Sequence, residues 1–169
     1  MSNKMPEKFY VTPEGGIKIK WGQPTDLKEL YRQMKLWLED NGFAKESSLE
    51  KKYVEMIKPY GKDTYILWGC EKKISDYFSY KISIEFLFVA MSEVEVQEGN
   101  IKKKLTKGTL QINIAGYVEY GKSTESFGFL DKIYYHLVAK PRLKDYADDL
   151  YSKIYKFQKF IKDFIGLTA

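Results

Sequence analysis

Apolar residues near the C-terminus of this chain follow a strict helical repeat. Between Leu143 and Phe164 they recur at alternating steps of four and three residues, a spacing that is kept over three heptads. This is the pattern of one helix face. Pro141 stands where a first helical position would lie, and Gly166 follows the last apolar residue, where a left-handed cap is usual. The pattern predicts one long helix from Pro141 to Ile165, about 24 residues or roughly 36 Å.

The apolar face of this helix is wider than a coiled-coil seam. Tyr146, Tyr151, Phe160 and Ile165 flank the repeat, so the apolar stripe covers more than a third of the circumference. Such a width suits packing on a sheet better than pairing with one partner helix. We therefore expect the long helix to cover a sheet formed by its own chain, with a coiled coil as the alternative.

The middle of the chain changes to a two-residue period, which is typical of strands. Alternation predicts strands at 17–21, 50–57, 63–71, 80–91, 94–97, 101–105 and 110–114. The pair at 94–97 and 101–105 reads as a hairpin that turns at Gly99 and Asn100. A further turn is expected at Thr106–Gly108. Ala115 and Gly116 are expected to form a bulge, because Tyr117 and Val118 disturb the apolar phase.

Two further helices are expected. The first is capped by Thr25 or Asp26 and ends at Asn41-Gly42. The second is a short amphipathic helix over residues 130–138, which Pro141 ends or kinks. On this second helix His136 lies opposite the apolar face and is expected to be solvated.

The order of elements indicates an α+β fold. We predict a curved, mostly antiparallel sheet of five to seven strands, with an N-terminal helix and the long C-terminal helix packed on one face. Residues 1–15 are polar and end in a turn, so they are expected to form a flexible tail, and residues 16–169 a single domain. The element order resembles that of helix-grip domains, in which a long C-terminal helix lies on a curved sheet, often over an apolar cavity.

Charge and cysteine content limit the functions that are possible. The 169 residues carry a net charge of +5, but only Arg32 and Arg142 among 28 basic residues are arginine. Because arginine supplies most bidentate contacts to phosphate and guanine, sequence-specific nucleic-acid binding is not expected, whereas weak binding through lysines stays open. Cys70 is the only cysteine, so no intrachain disulfide can form. No membrane span or secretory signal is found. We expect a soluble protein of the cytoplasm, and its lysine- and isoleucine-rich usage suggests a prokaryotic or viral source.

Catalytic chemistry finds little support in the sequence. His136 is the only histidine, and no acid or nucleophile is arranged around it in the sequence. Cys70 shares a strand face with apolar residues and is expected to be inert. Asp145, Asp148 and Asp149 lie near the start of the long helix, where the helix dipole favours acids. We therefore expect no catalytic residues, no metal site and no cofactor.

Two groups of residues are candidate binding positions. Lys102, Lys103, Lys104 and Lys107 cluster near the predicted hairpin, where they either contact phosphate or an acidic partner or protect an edge strand from other sheets. The second group is Tyr155, placed on the polar face of the long helix, with the nearby Tyr151. Tyrosine is enriched at the centres of interfaces, although a ring lying over lysine stems would explain Tyr155 equally.

The sequence leaves three functions open. A non-catalytic interaction or assembly protein, acting through the long helix or a sheet edge, is the first. It follows from the missing catalytic pattern and from the strand at Leu87, Val89 and Met91, whose second face is apolar and needs cover from the first helix, a partner or a bend in the sheet. The alternative is a binder of an apolar small molecule in a cavity between the long helix and the sheet. Weak sequence-independent nucleic-acid binding is third, and an enzyme is last.

Overall fold

The computed structural model describes residues 8–43, 49–75, 77–120 and 128–167. Six strands form one curved antiparallel sheet, and helices cover one of its faces, so the predicted α+β class is confirmed. The elements, in chain order, are β1 (Lys8–Tyr10), β2 (Ile17–Trp21), α1 (Leu27–Asp40), β3 (Glu50–Lys58), β4 (Gly61–Lys73), β5 (Phe78–Glu98), β6 (Ile101–Tyr120), α2 (Phe129–Tyr134), a π-helical stretch (Tyr135–Ala139) and α3 (Lys140–Phe164).

The strands lie in the order β3-β4-β5-β6, and the N-terminal strands cover the far edge of β6. There β2 pairs with residues 110–114 and β1 with residues 117–119. Part of the segment that we predicted as a flexible tail is thus a strand. The three residues Lys8–Tyr10 are too few to show a two-residue period, and their pairing depends on the backbone of β6. Residues 1–7 of the predicted tail lie outside the described residues.

Side chains alternate along the strands between the face that the helices cover and an open face. The covered face is buried at every second position from Phe78 to Phe88 and from Leu110 to Tyr120. It supplies much of the core: Phe78, Tyr80, Ile82, Ile84, Phe86, Phe88, Leu110, Ile112, Ile114, Val118 and Tyr120. Helix α1 packs on it through Leu30, Met34 and Leu38, and α3 through Ala147, Leu150, Ile154, Phe157 and Ile161. The two helices meet where the rings of Trp37 and Phe157 lie 4.7 Å apart.

Strand β6 runs without a break through the predicted turn at Thr106–Gly108. The chain bends there through a bulge on the neighbouring strand, where two residues of β5, Ala90 and Met91, oppose Gly108. Ala90 has a φ of 56°, and its backbone N–H donates to the carboxylate of Asp63 at 2.9 Å. A side chain at Gly108, whose φ is 153°, would meet the carbonyl oxygen of Val89 at 2.8 Å. A glycine at position 108 is compatible both with a turn and with a place opposite a bulge, so the sequence does not distinguish the two.

The predicted bulge at Ala115–Gly116 is also absent, because β6 keeps its register with β5 from Thr109 to Tyr120. Gly116 occupies a position on the covered face, where α3 lies directly above it. A β-carbon at this position would overlap Cδ1 of Ile154. Gly116 therefore interrupts the apolar pattern because it makes room for the long helix, and the phase of the strand does not change.

The C-terminal helix is longer than predicted, since α2 and α3 join through the π-helical stretch. The backbone N–H of Lys140 donates to the carbonyl of Tyr135, five residues earlier. Pro141 has no N–H to donate and its ring would crowd the carbonyl of an α-helical turn before it. The wider π turn accommodates the proline without ending the helix, which corrects the expected end of the helix at Pro141.

Candidate functional site

Strand β3 is the free edge of the sheet. It pairs with β4 alone among the described strands, and all of its residues are exposed. Four of its nine residues are large and apolar: Tyr53 is 50%, Val54 38%, Met56 51% and Ile57 89% exposed. A long, exposed and partly apolar edge offers unpaired backbone groups to another strand. Of the elements in the structure, β3 combines these properties most clearly.

Polar contacts at both ends hold β3 in place. At its start, Glu50 accepts a hydrogen bond of 2.6 Å from the Tyr31 hydroxyl on α1, which itself accepts from Nε1 of Trp68 at 2.9 Å. Burial and then the Glu50 carboxylate raise the pKa of Tyr31, so this phenol stays a donor at neutral pH. At its end, Lys58 lies 3.2 Å from the carboxylate of Asp63. The edge strand is therefore anchored at both of its ends.

Asp63 joins the end of β3 to the bulge of β5. Besides Lys58, it accepts hydrogen bonds from the Tyr60 hydroxyl at 3.0 Å and from the backbone N–H of Ala90. These contacts, the one from Ala90 first, hold the pKa of Asp63 below its usual value. The carboxylate is thus charged at neutral pH, and it fixes the turn that follows the free edge.

The open face continues the apolar surface of this edge across the sheet. Val54, Tyr65 and Leu87 lie side by side on β3, β4 and β5. Leu87 is 42% exposed, because both long helices lie on the opposite face. The sequence left three kinds of cover open for this second apolar face: the first helix, a partner or a bend in the sheet. Met91 is covered by the bend at the bulge and packs partly against the core. Leu87 has no such cover within the described part of the chain.

The predicted lysine cluster lies on an arm formed by the ends of β5 and β6. In this arm residues 92–98 pair with residues 101–107 and extend beyond the bulge. The lysines alternate between its two faces, so Lys102 and Lys104 share one face while Lys103 lies on the other. Lys103 contacts Glu98 at 3.3 Å, and Lys104 lies opposite Glu95. The arm therefore divides the lysines between two faces, and acids lie near Lys103 and Lys104. Lys107 lies at the base of the arm, opposite Ser92.

The structure reverses the expected exposure of the two tyrosines on α3. Tyr151, which we placed beside the apolar seam, is 48% exposed. Tyr155, which we placed on the polar face, is partly buried and packs against the core. Their ring centroids are 4.3 Å apart, because residues four apart lie on the same helix face. Tyr155 thus has an intramolecular partner in the ring of Tyr151.

A second apolar surface lies on α2 and the π-helical stretch. Phe129, Leu130 and Leu137 are 78%, 79% and 72% exposed. The helix predicted here is present. These apolar side chains stay exposed, whereas the ring of Tyr135 packs against Tyr120 of β6. His136 is exposed as expected. Residues 121–127, which precede this helix, lie outside the described residues.

Asp149, one of the acids near the start of the long helix, contacts the sheet. It accepts a hydrogen bond of 2.8 Å from the buried Tyr80 hydroxyl and pairs with Lys153 at 2.8 Å. It thereby ties α3 to β5. Across the described ranges, no three histidine, cysteine or acidic side chains lie close enough to share a metal ion. No helix in those ranges combines the length and apolar content needed to cross a membrane.

Cys70 is expected to be unreactive in the folded protein. It is 3% exposed, and burial raises the pKa of its thiol to about 12, although Lys51 lowers it slightly. Because the thiolate is the reactive form, we expect Ellman's reagent at pH 8 to label the native protein roughly a hundredfold more slowly than the urea-unfolded protein. Equal rates would show that the strand carrying Cys70 opens readily.

Sequence reasoning missed the free edge, although its signal was present. The segment Tyr53-Val54-Glu55-Met56-Ile57 has apolar residues on both faces, which is unusual for a strand with one buried side. Which strand lies at the edge depends on the pairing order, which the sequence does not contain. Comparison with protein-family models, with curated proteins and with solved structures finds no match, so the geometry of these surfaces carries the assignment of function.

Proposed function

We propose that this protein is a non-catalytic assembly protein that binds a second copy of itself along β3. The observation that carries the proposal is the long free edge: β3 pairs only with β4 among the described strands and has apolar side chains on both faces, whereas the opposite edge is formed by the short strands β1 and β2. Pairing two such edges would satisfy their unpaired backbone groups and bury apolar surface.

The charges of β3 support antiparallel pairing with its own copy, centred on Val54. In this register Glu50 lies opposite Lys58 of the second copy, and Tyr53 lies opposite its Glu55. Opposite charges that face each other across strands favour pairing, and like charges oppose it. A register centred on Glu55 would place the two Glu55 carboxylates opposite each other. The strand is therefore complementary to itself in the Val54 register.

Pairing of this kind closes after two copies. A two-fold axis through Val54 uses the same edge of both chains, so no further free β3 edge remains. The product would be a continuous sheet across the dimer, with the apolar row of Val54, Tyr65 and Leu87 doubled across its open face. As part of the same proposal, the protein is located in the cytoplasm, as expected from its single cysteine, which is buried.

Cysteine cross-linking tests both the dimer and its register. Val54→Cys places two thiols opposite each other, where Cα atoms of paired strands lie about 4.5–5.5 Å apart, within disulfide range. We expect mild oxidation to convert most of this variant to a covalent dimer, and the buried Cys70 not to compete. The matched control is Ile57→Cys: residue 57 is more exposed, but the two copies would lie about 20 Å apart along the strands.

Sedimentation completes the test. The unmodified protein is expected to be a dimer, and Val54→Pro to be a monomer, because proline removes a backbone donor and disfavours central strand pairing. A monomer at all concentrations up to about 1 mM, which corresponds to a binding free energy weaker than about −4 kcal/mol, would contradict self-assembly. Cross-linking of Ile57→Cys as fast as Val54→Cys would contradict the register.

A further inference from the structure

A groove of about 680 Å³ opens on the covered face of the sheet, beside the first turns of α1. Leu27, Lys28 and Tyr31 of α1 form one side of this groove. The floor is formed by Thr64 and Ile66 of β4 and by Phe88 and Met91 of β5, and the walls include Tyr31 of α1 and Tyr53 of β3. An apolar concave surface with a few polar groups is the usual form of a small-molecule site.

The groove lies in a different place from the cavity expected beneath the long helix. Under α3, Ile154 is fully buried, and its Cδ1 occupies the space above Gly116. Beside it, α1 packs on the sheet through the buried Leu30 and Met34. All residues of β3 stay exposed, so the groove is open on the side of this strand.

The hydroxyl of Thr64 is the unusual feature of the floor. Thr64 is 3% exposed, and its Oγ1 has no hydrogen-bond partner in the described part of the chain. The next residues of β4 on the same face are Ile66 and Trp68. Burying an unpaired hydroxyl is unfavourable, and valine would have the same shape without this cost. No residue in the described ranges supplies a partner for this hydroxyl, whereas a ligand bound in the groove could supply one.

The walls indicate a neutral ligand. Glu55 accepts hydrogen bonds from Tyr53 at 2.6 Å and from Lys62 at 2.7 Å, so the charges of Glu55 and Lys62 cancel. At the other side Glu50 is engaged by Tyr31, and Lys28 lies at the rim. The groove is thus lined by two acids and two lysines, so neither negative nor positive charge dominates. The aromatic rings of Tyr31, Tyr53 and Phe88 offer flat apolar surfaces.

We propose that this groove binds a neutral, flat, apolar molecule that carries one hydroxyl or carbonyl group, which pairs with the Thr64 hydroxyl. The ligand lies between the floor and the rings of Tyr31 and Tyr53. Its polar group satisfies an oxygen that the free protein leaves unpaired. This site goes beyond assembly through β3 and does not depend on it.

The probe is a matched pair of compounds, 2-naphthol and naphthalene, which differ by one hydroxyl. Dissociation constants are measured by ¹H–¹⁵N NMR titration, which also locates the binding site. We expect the unmodified protein to bind 2-naphthol about tenfold more tightly than naphthalene, the effect of one buried hydrogen bond. Amide shifts are expected at Tyr31, Ile66 and Phe88.

Thr64→Val distinguishes a binding role from a structural one. This variant is expected to lose the preference for 2-naphthol, to keep its affinity for naphthalene, and to be at least as stable to urea as the unmodified protein. Thr64→Ser retains the hydroxyl and is expected to retain the preference. The control Thr109→Val replaces an exposed threonine outside the groove and should change neither affinity.

Several outcomes would overturn the proposal. Absence of binding by both compounds, equal affinities for the two, or shifts confined to α2 would each do so. A Thr64→Val variant that keeps the preference would show that the hydroxyl does not contact the ligand. A loss of stability in that variant would show that the hydroxyl has a structural partner.

Discussion

Replacing Phe157 with alanine is expected to lower the free energy of unfolding by about 3–5 kcal/mol, the usual range for a buried phenylalanine. Phe157 is completely buried, and its ring lies 4.7 Å from that of Trp37, at the contact between α1 and α3. The loss would remove a large part of a total stability that is typically about 5–15 kcal/mol. Urea unfolding followed by circular dichroism measures the change.

The matched control for this substitution lies on the same continuous helical segment. Phe129 on α2 is 78% exposed, and Phe129→Ala is expected to change stability by less than about 0.5 kcal/mol. Equal effects of the two alanine substitutions would contradict the packing of α3 on α1 and the sheet. The change should appear mainly in the urea midpoint, because the surface exposed on unfolding, and with it the m value, stays nearly constant.

Gly116→Val is expected to destabilise the protein by about 1–3 kcal/mol or more through overpacking. Even a single β-carbon at this position would overlap Cδ1 of Ile154, which is fully buried and cannot turn towards solvent. In isolation valine is a better strand residue than glycine. A gain in stability would therefore show that α3 does not lie above Gly116.

A compensating substitution tests the same contact more sharply. Ile154→Ala alone should cost about 2–5 kcal/mol because it leaves a cavity. The double variant Gly116→Val with Ile154→Ala has the same number of side-chain carbons as the unmodified pair, so the valine can fill that cavity. We expect it to be more stable than Ile154→Ala alone, with a coupling of about 1–3 kcal/mol. Simple additivity of the two single changes would contradict direct contact.

The elements with a regular period were predicted well. The apolar repeat of α3 identified its buried face at Ala147, Leu150, Ile154, Phe157 and Ile161. Asp26 does cap α1, since its carboxylate accepts from the backbone N–H of Glu29 at 3.1 Å. Local periods carry this information because one face of each element must be buried. The hairpin turn at Gly99 and Asn100 was likewise signalled by local turn residues.

The predictions that the structure corrected have a different cause in common. Gly116 and Gly108 both interrupt a strand pattern, but one makes room for a helix and the other faces a bulge on the neighbouring strand. The strand Lys8–Tyr10 exists because β6 offers it a backbone edge. Tyr155 turns towards Tyr151 and the core rather than towards solvent. In each case the deciding contact comes from a residue or element that the local period does not describe.

The sequence by itself determined the α+β class, the position of the long helix and its buried face, because the period of apolar residues follows directly from which side of an element must leave water. Only the tertiary structure decided that β3 is the free edge and that a groove with the unpaired Thr64 hydroxyl remains beside α1. Edges and grooves are defined by where pairing and packing stop. They depend on the order of strands and the positions of two helices at once, and no local stretch of sequence records that order.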